Sequence, residues 1–200
     1  MGRDGRNYRE RLLTSATELL KEKGSLNITA RELVNRSGAN LASIGYHFGS
    51  KDALLDEAVL RMTTQMTSIA ESAAGDDAPL AQRLACSLIS YDDQSAGDTA
   101  WFSALARLSQ SPELAAGLSA HYVDAHKRIL LELPGSGCVD ASALSWLVVA
   151  LADGLLVQRL ILGETAISEA QLAAALAVLV SEVSGPAKAD SLPAPTNDLK

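Results

Sequence analysis

Apolar side chains recur along this chain at the three- and four-residue spacing of helices, while runs that alternate apolar and polar residues are scarce. Leu12, Leu13, Ala16, Leu19 and Leu20 share one stripe, so a first helix is expected from about Asn7 to a stop at Lys23-Gly24. Thr29-Ala30-Arg31-Glu32 then has the form of a capping box, in which the Thr hydroxyl and the Glu carboxylate satisfy backbone N–H groups at a helix start. Leu33 and Val34 give that short second helix its buried side, and Ser37-Gly38-Ala39 closes it. Asn40 caps a third short helix with Ile44 and Phe48 inward, Gly49 ends it, and Ser50 caps a fourth. Leu54, Leu55, Ala58, Val59 and Met62 form the stripe of this fourth helix, which is expected to continue to Ala74, where Gly75-Asp76-Asp77-Ala78-Pro79 breaks it.

Further helices are expected over 80–92, 98–110, 112–132, 140–163 and 168–183, separated by loops rich in Gly, Ser, Asp and Pro. The fold class is therefore all-α, with about nine helices. The expected division is a helix-turn-helix domain over 1–50 and a larger helical domain over 51–185, with the fourth helix, 51–74, as the link between them. Residues 186–200, with Pro186, Pro193 and Pro195 and few large apolar groups, read as a disordered tail.

The formal charge of −7 hides an asymmetry. Residues 1–62 carry 10 Lys and Arg against 8 Asp and Glu, whereas the remainder carries 7 against 16. A basic module on an acidic body is the distribution expected when only one end meets a polyanion. Cys86 and Cys138 have no paired spacing and no clustered His, so neither a disulfide framework nor a zinc site is indicated, and a reducing cytoplasm fits. The charged N-terminus lacks the apolar stretch of a secretory signal. Asp153, Gln158 and Arg159 interrupt the apolar run from Leu144 to Leu162, which is read as a buried helix and not as a membrane span. With 3 His and no nucleophile elbow, phosphate-binding glycine loop or HExxH pattern, the sequence offers no catalytic residues, cofactor or metal.

A short helix, a tight glycine turn and a second helix with a free face are the parts of a helix-turn-helix, whose second helix enters the major groove. The segment Ile28 to Leu55, ITARELVNRSGANLASIGYHFGSKDALL, closely resembles the DNA-binding signature of the TetR family, with the glycine turn, Tyr46-His47-Phe48 and Gly49-Ser50-Lys51 in register. The resemblance covers roughly the first 60 residues and implies a dimeric transcriptional regulator, a repressor, that binds double-stranded operator DNA and is released by a small-molecule effector. It also implies that Tyr46, His47 and Lys51 contact phosphates. Their spacing places Ser43, Tyr46 and His47 on one face, opposite Ile44 and Phe48. Thr29 and Lys51 mark helix N-termini suited to phosphate, and Arg31 joins them. Base reading is expected from Asn40, Leu41, Ala42 and Ser43, a set without Arg or Gln that depends on thymine methyls and DNA shape. Arg3, Arg6 and Arg9 offer a basic arm.

In the body, Leu144, Leu147, Leu151 and Leu155 with Leu172, Leu176 and Val180 put apolar residues on more than one face, either buried within one protomer or shared between two, and the resemblance implies a homodimeric four-helix bundle there. Tyr91, Trp101, Phe102, Leu105, His121, Tyr122 and Trp146 gather much of the aromatic content into the middle helices and are candidates for an effector pocket, although each is equally explained as core. Arg107, His126 and Asp153 either orient a ligand or form ion pairs. The competing readings are a ligand-blind DNA-binding protein, an all-helical enzyme and a thiol sensor at Cys86 or Cys138.

Overall fold

The computed structural model describes residues 3–73, 81–82, 85, 95–133 and 140–184, and its regular structure there is helical throughout. The helices are α1 (Arg3–Lys23), α2 (Ala30–Ser37), α3 (Leu41–Phe48), α4 (Lys51–Ala73), α5 (Ser95–Leu105), α6 (Pro112–Glu132), α7 (Ala141–Leu162) and α8 (Glu169–Ser184), with a 3-10 turn at Gly163–Thr165. The all-α expectation holds. Helix α1 begins four residues before Asn7, and the helix expected over 98–110 spans Ser95–Leu105, followed by turns over 106–110. The helix expected over 80–92 falls largely outside the described residues, as do Tyr91, Cys86, Cys138 and the tail.

Side-chain caps fix most helix starts. Thr29 and Glu32 close the expected capping box: the Thr29 N–H donates to Glu32 Oε2 at 2.8 Å and the Glu32 N–H to Thr29 Oγ1 at 3.3 Å. Asn40 Oδ1 accepts from the Ser43 N–H at 2.9 Å, and Ser50 Oγ from the Ala53 N–H at 3.0 Å. Ser111, Asp140 and Ser168 do the same for α6, α7 and α8.

Leu12, Leu13, Ala16, Leu19 and Leu20 of α1 are buried against Ile28, Leu33 and Ile44 and against Leu54, Leu55, Ala58, Val59 and Met62 of α4. The same core takes in Ala100, Trp101 and Ala104 of α5 and Leu114 and Leu118 of α6. No seam in the packing therefore separates the head (α1 to α3) from the first helices of the body. Helix α6 meets α4 closely at Gly117, where an added Cβ would collide with the Leu60 side chain. A second core joins Ala81 and Ala85 to Val148 and Leu155 of α7 and Leu172 and Leu176 of α8.

Helix α7 has three distinct sides. Ser145 and Val149 are buried in line with Asp153 and Leu156, and this side faces α6, because Ser145 Oγ donates to the His126 carbonyl at 2.7 Å. Val148, Leu151, Ala152 and Leu155 meet the second core. Along the third side, Leu147, Ala150, Gly154, Val157 and Ile161 are exposed, Leu147 at 63% and Ile161 at 75%. Helix α7 is long and apolar enough to cross a membrane, and only 22% of its most apolar stretch is buried, so the reading of a wholly buried helix needs correction. Leu155, Leu172 and Leu176, assigned from sequence to an interface between chains, lie inside the protomer because they build its second core. Leu144 and Leu151 are half-buried, and of the described side chains in that set Leu147 alone is on the open side; the side chain of Val180 is outside the described set.

Two outcomes test this packing. Lys23, together with the Thr29 N–H and hydroxyl, holds the Glu32 carboxyl down to about 2. A depressed carboxylate stabilises the fold above its unfolded value and loses that contribution on acidification, so the start of α2 should loosen between pH 4.5 and about 2. Titration of the Thr29 and Glu32 amide shifts by NMR reads this directly. Gly117→Val forces a branched side chain against Leu60 and should cost about 1–3 kcal/mol in chemical denaturation.

Candidate nucleic-acid interface

Helix α2 ends where Gly38, at φ 65°, turns the chain into the left-handed region and donates its N–H to the Val34 carbonyl at 2.9 Å. Only a residue without Cβ adopts that conformation at no cost, and the Arg11 guanidinium occupies the space a Cβ would need. Two residues later Asn40 caps α3, so an eight-residue helix, a tight turn and a second eight-residue helix follow in sequence. Ile44 pins α3 to the core, and Gly49, at φ 78°, ends it.

With Ile44 inward, the side of α3 left to solvent carries Leu41, Ala42, Gly45 and Tyr46, with Leu41 61% and Tyr46 84% exposed. This differs from the expected face. Ser43 is only 9% exposed, and its N–H and hydroxyl both lie within hydrogen-bonding distance of Asn40 Oδ1. It serves the cap of α3. The same contacts occupy Asn40 Oδ1, leaving the amide nitrogen but not the donor–acceptor pair that reads adenine bidentately. His47 is half-buried with its ring 4.8 Å from that of Tyr46, edge to face.

Gly45 was not singled out from sequence. It sits mid-helix between Ala42 and Tyr46 with nothing within 4 Å of where a Cβ would stand. Its exposure follows from the i+4 spacing to Leu41, a signal that becomes usable once Ile44 is known to point inward. A glycine there lets the helix backbone approach a ligand surface closely.

Beside α3, Lys51 Nζ donates to the Ile28 carbonyl at 3.2 Å and lies 3.2 Å from Asp52 Oδ1. This bond brings the start of α4 next to the start of α2, so Thr29, the exposed Arg31 and Lys51 form one group at two helix N-termini. Arg9 is committed elsewhere: it makes a two-pronged ion pair with Glu57 at 2.6 and 2.8 Å and covers the Phe48 ring at 5.0 Å. It braces α1 against α3 and α4 and is not a mobile arm, because α1 is already helical there; the side chains of Arg3 and Arg6 are outside the described set.

Of the effector candidates in the body, Trp101 is buried in the first core with Phe102 and Leu105 packed on it. Tyr122 donates its hydroxyl to Asp153 Oδ2 at 3.0 Å across α6 and α7. Burial, then the Asp153 charge and the hydrogen bond to it, pushes the Tyr122 hydroxyl well above its ordinary range. Burial raises Asp153 despite the opposing bond from Tyr122. His121 is lowered by burial and then by Arg128, against the pull of Asp124. Trp146 is half-exposed and stacks on His126, with centroids 4.4 Å apart, at the opposite end of α7 from Leu156. Among the described candidates, Trp101 belongs to the first core and Phe102, Leu105 and Tyr122 pack against it, whereas Trp146 is not part of it.

Residues 12–58 match the family described as bacterial regulatory proteins, tetR family. The fold resembles that of a transcriptional regulator from Rhodococcus sp. Rha1, with TM-score 0.69, 20% identity and coverage of 88% of this chain and 95% of that one. It also resembles SCO7518 from Streptomyces coelicolor A3(2), with TM-score 0.70, 20% identity and coverage of 87% and 98%. A Saccharomonospora viridis protein in complex with choline matches at TM-score 0.63 and 22% identity, over 86% of this chain and 94% of its own. No curated protein matches the sequence. The glycine turn, the capped α2 and α3 and the start of α4 all fall within the residues that match the tetR family of bacterial regulatory proteins.

Proposed function

We propose that this protein is a transcriptional repressor that binds a palindromic operator as a homodimer and is released by a small-molecule effector held in its body. The observation that carries the reading is the solvent face of α3, Leu41, Ala42, Gly45 and Tyr46, beside the paired helix starts at Thr29 and Lys51. Leu41 and Ala42 suit thymine methyls, Gly45 admits close approach of the helix, and the helix starts with Lys51, Arg31 and Tyr46 suit phosphates. One such face carries little hydrogen-bonding information. A second copy about 34–36 Å away doubles it by reading the other half of a palindrome.

The open side of α7 supports a twofold partner. Leu147, Ala150, Val157 and Ile161 on α7, and Val178 and Leu179 on α8, are exposed apolar side chains of the kind self-complementary interfaces cover. An effector is supported by the half-buried Tyr122–Asp153 pair, and by the fold's likeness to the choline complex and to the multidrug binding protein EbrR complexed with imidazole. The chain is read as acting on DNA and ligand without catalysis, in the cytoplasm.

Selection of bound DNA from a random pool, at one moderate salt concentration, tests the reading: a palindromic motif is the expected result and no enrichment removes it. Lys51→Ala should weaken binding to all sequences and reduce the slope of log affinity against log salt by about 1. Gly45→Ala should raise helix stability by up to about 1 kcal/mol while weakening operator binding, because the new methyl stands on the reading face. Leu147→Glu with Ile161→Glu should yield a monomer by sedimentation and abolish the palindrome preference; an unchanged oligomeric state removes this face from the interface.

A further inference from the structure

The turn between α5 and α6 carries one charged side chain, and it reaches α4. Arg107 is only 21% exposed; its Nη1 lies 3.1 Å from Asp56 Oδ1 and its Nη2 3.8 Å from Asp52 Oδ2. The two aspartates are one turn apart on α4, and the Asp56 side chain is only 9% exposed. The backbone of the same residue organises the corner. Its N–H donates to the Ala104 carbonyl at 2.9 Å, and its carbonyl accepts from Gln110 at 2.8 Å and from Ser111, the buried N-cap of α6, at 3.1 Å. Leu105 and Leu108 on either side pack on the first core. One residue therefore ties the end of α5 and the start of α6 to the first two turns of α4.

Those two turns begin at Lys51, whose ammonium meets Asp52 and the Ile28 carbonyl just before α2. A continuous set of polar contacts runs from the body through Arg107, Asp52 and Lys51 to the two helix starts of the interface. The Arg107–Asp56 contact is at ion-pair distance without the alignment of a hydrogen bond, so it sets proximity more than direction.

We propose that Arg107 is a positioning residue for operator binding: through Asp56 and Asp52 it fixes the angle at which the α5–α6 corner holds α4, and hence the presentation of α3 and Lys51 to DNA. This rests on the reading of the head as an operator-binding unit. Arg107 does not touch DNA itself, so its loss should change the fit to a specific site and not the general attraction for phosphates.

The test uses the full chain with Arg107→Met, Arg107→Lys, Asp56→Asn and the double variant Arg107→Met/Asp56→Asn, which leaves no buried carboxylate without its cation. Affinity is measured for the operator recovered from the random pool and for a non-operator duplex of equal length, across a salt series, alongside melting temperature. Arg107→Met is expected to weaken operator binding about tenfold while non-operator binding and the salt slope stay unchanged. The double variant should be no weaker than Arg107→Met, and Arg107→Lys should recover most of the loss. Equal losses on both duplexes, a flatter salt slope, or a loss that tracks the fall in melting temperature overturns the proposal. Hydrogen exchange of the DNA-free protein gives an independent reading: amides 54–57 should exchange faster in the double variant while those of α1 do not, and unchanged protection there overturns the proposal even where the pool yields no motif. A wild-type chain that enriches no sequence but shows the exchange change refutes the operator reading alone.

Discussion

The enclosure of α1 by apolar groups on several sides sets the arrangement of everything around it. Leu12 and Leu20 are fully buried and Leu13 and Leu19 nearly so, against α2, α3, α4 and α5 together. Each such side chain contributes on the order of 1.5–3 kcal/mol by leaving water. The ion pairs around the same helix, Arg9–Glu57 and Arg61–Glu10, are partly exposed, and pairs of that kind contribute about 0–1 kcal/mol each. Apolar burial therefore holds the head, and the charges set its register.

That division explains what was legible in the sequence. Caps and stripes are local: Thr29 and Glu32 are three residues apart, and the α1 and α4 stripes span enough turns to fix their phase, so these elements emerged where expected. Helix α3 has two turns and one fully inward anchor, Ile44, too little to fix the rotation of its outer face from spacing alone. The bonds that the Ser43 N–H and hydroxyl both donate to Asn40 Oδ1 then hold inward a residue that spacing had placed outward.

Helix α7 posed the opposite difficulty, because it is apolar on all sides and the spacing of its leucines cannot say which side meets α6, which meets α8 and which remains open. That choice is made by tertiary partners such as Tyr122 and the His126 carbonyl, which select Asp153 and Ser145. The pairing of Arg107 with Asp56, 51 positions apart, likewise had no local signature. A sequence presents both as charges; the path of the chain makes them neighbours.

The shared core of α1, α4, α5 and α6 bears on how this architecture can be recombined. Trp101, Ala104, Leu114 and Leu118 complete the packing of residues that belong to the head, so a cut after α3 or within α4 would expose the apolar surface of both pieces. An exchange of DNA-reading modules between such proteins would have to carry these four positions along or match their volumes. Drift in α5 and α6 is constrained by the head's packing as well as by any ligand, and the sequence of the reading module and that of the sensing module are in this sense inherited together.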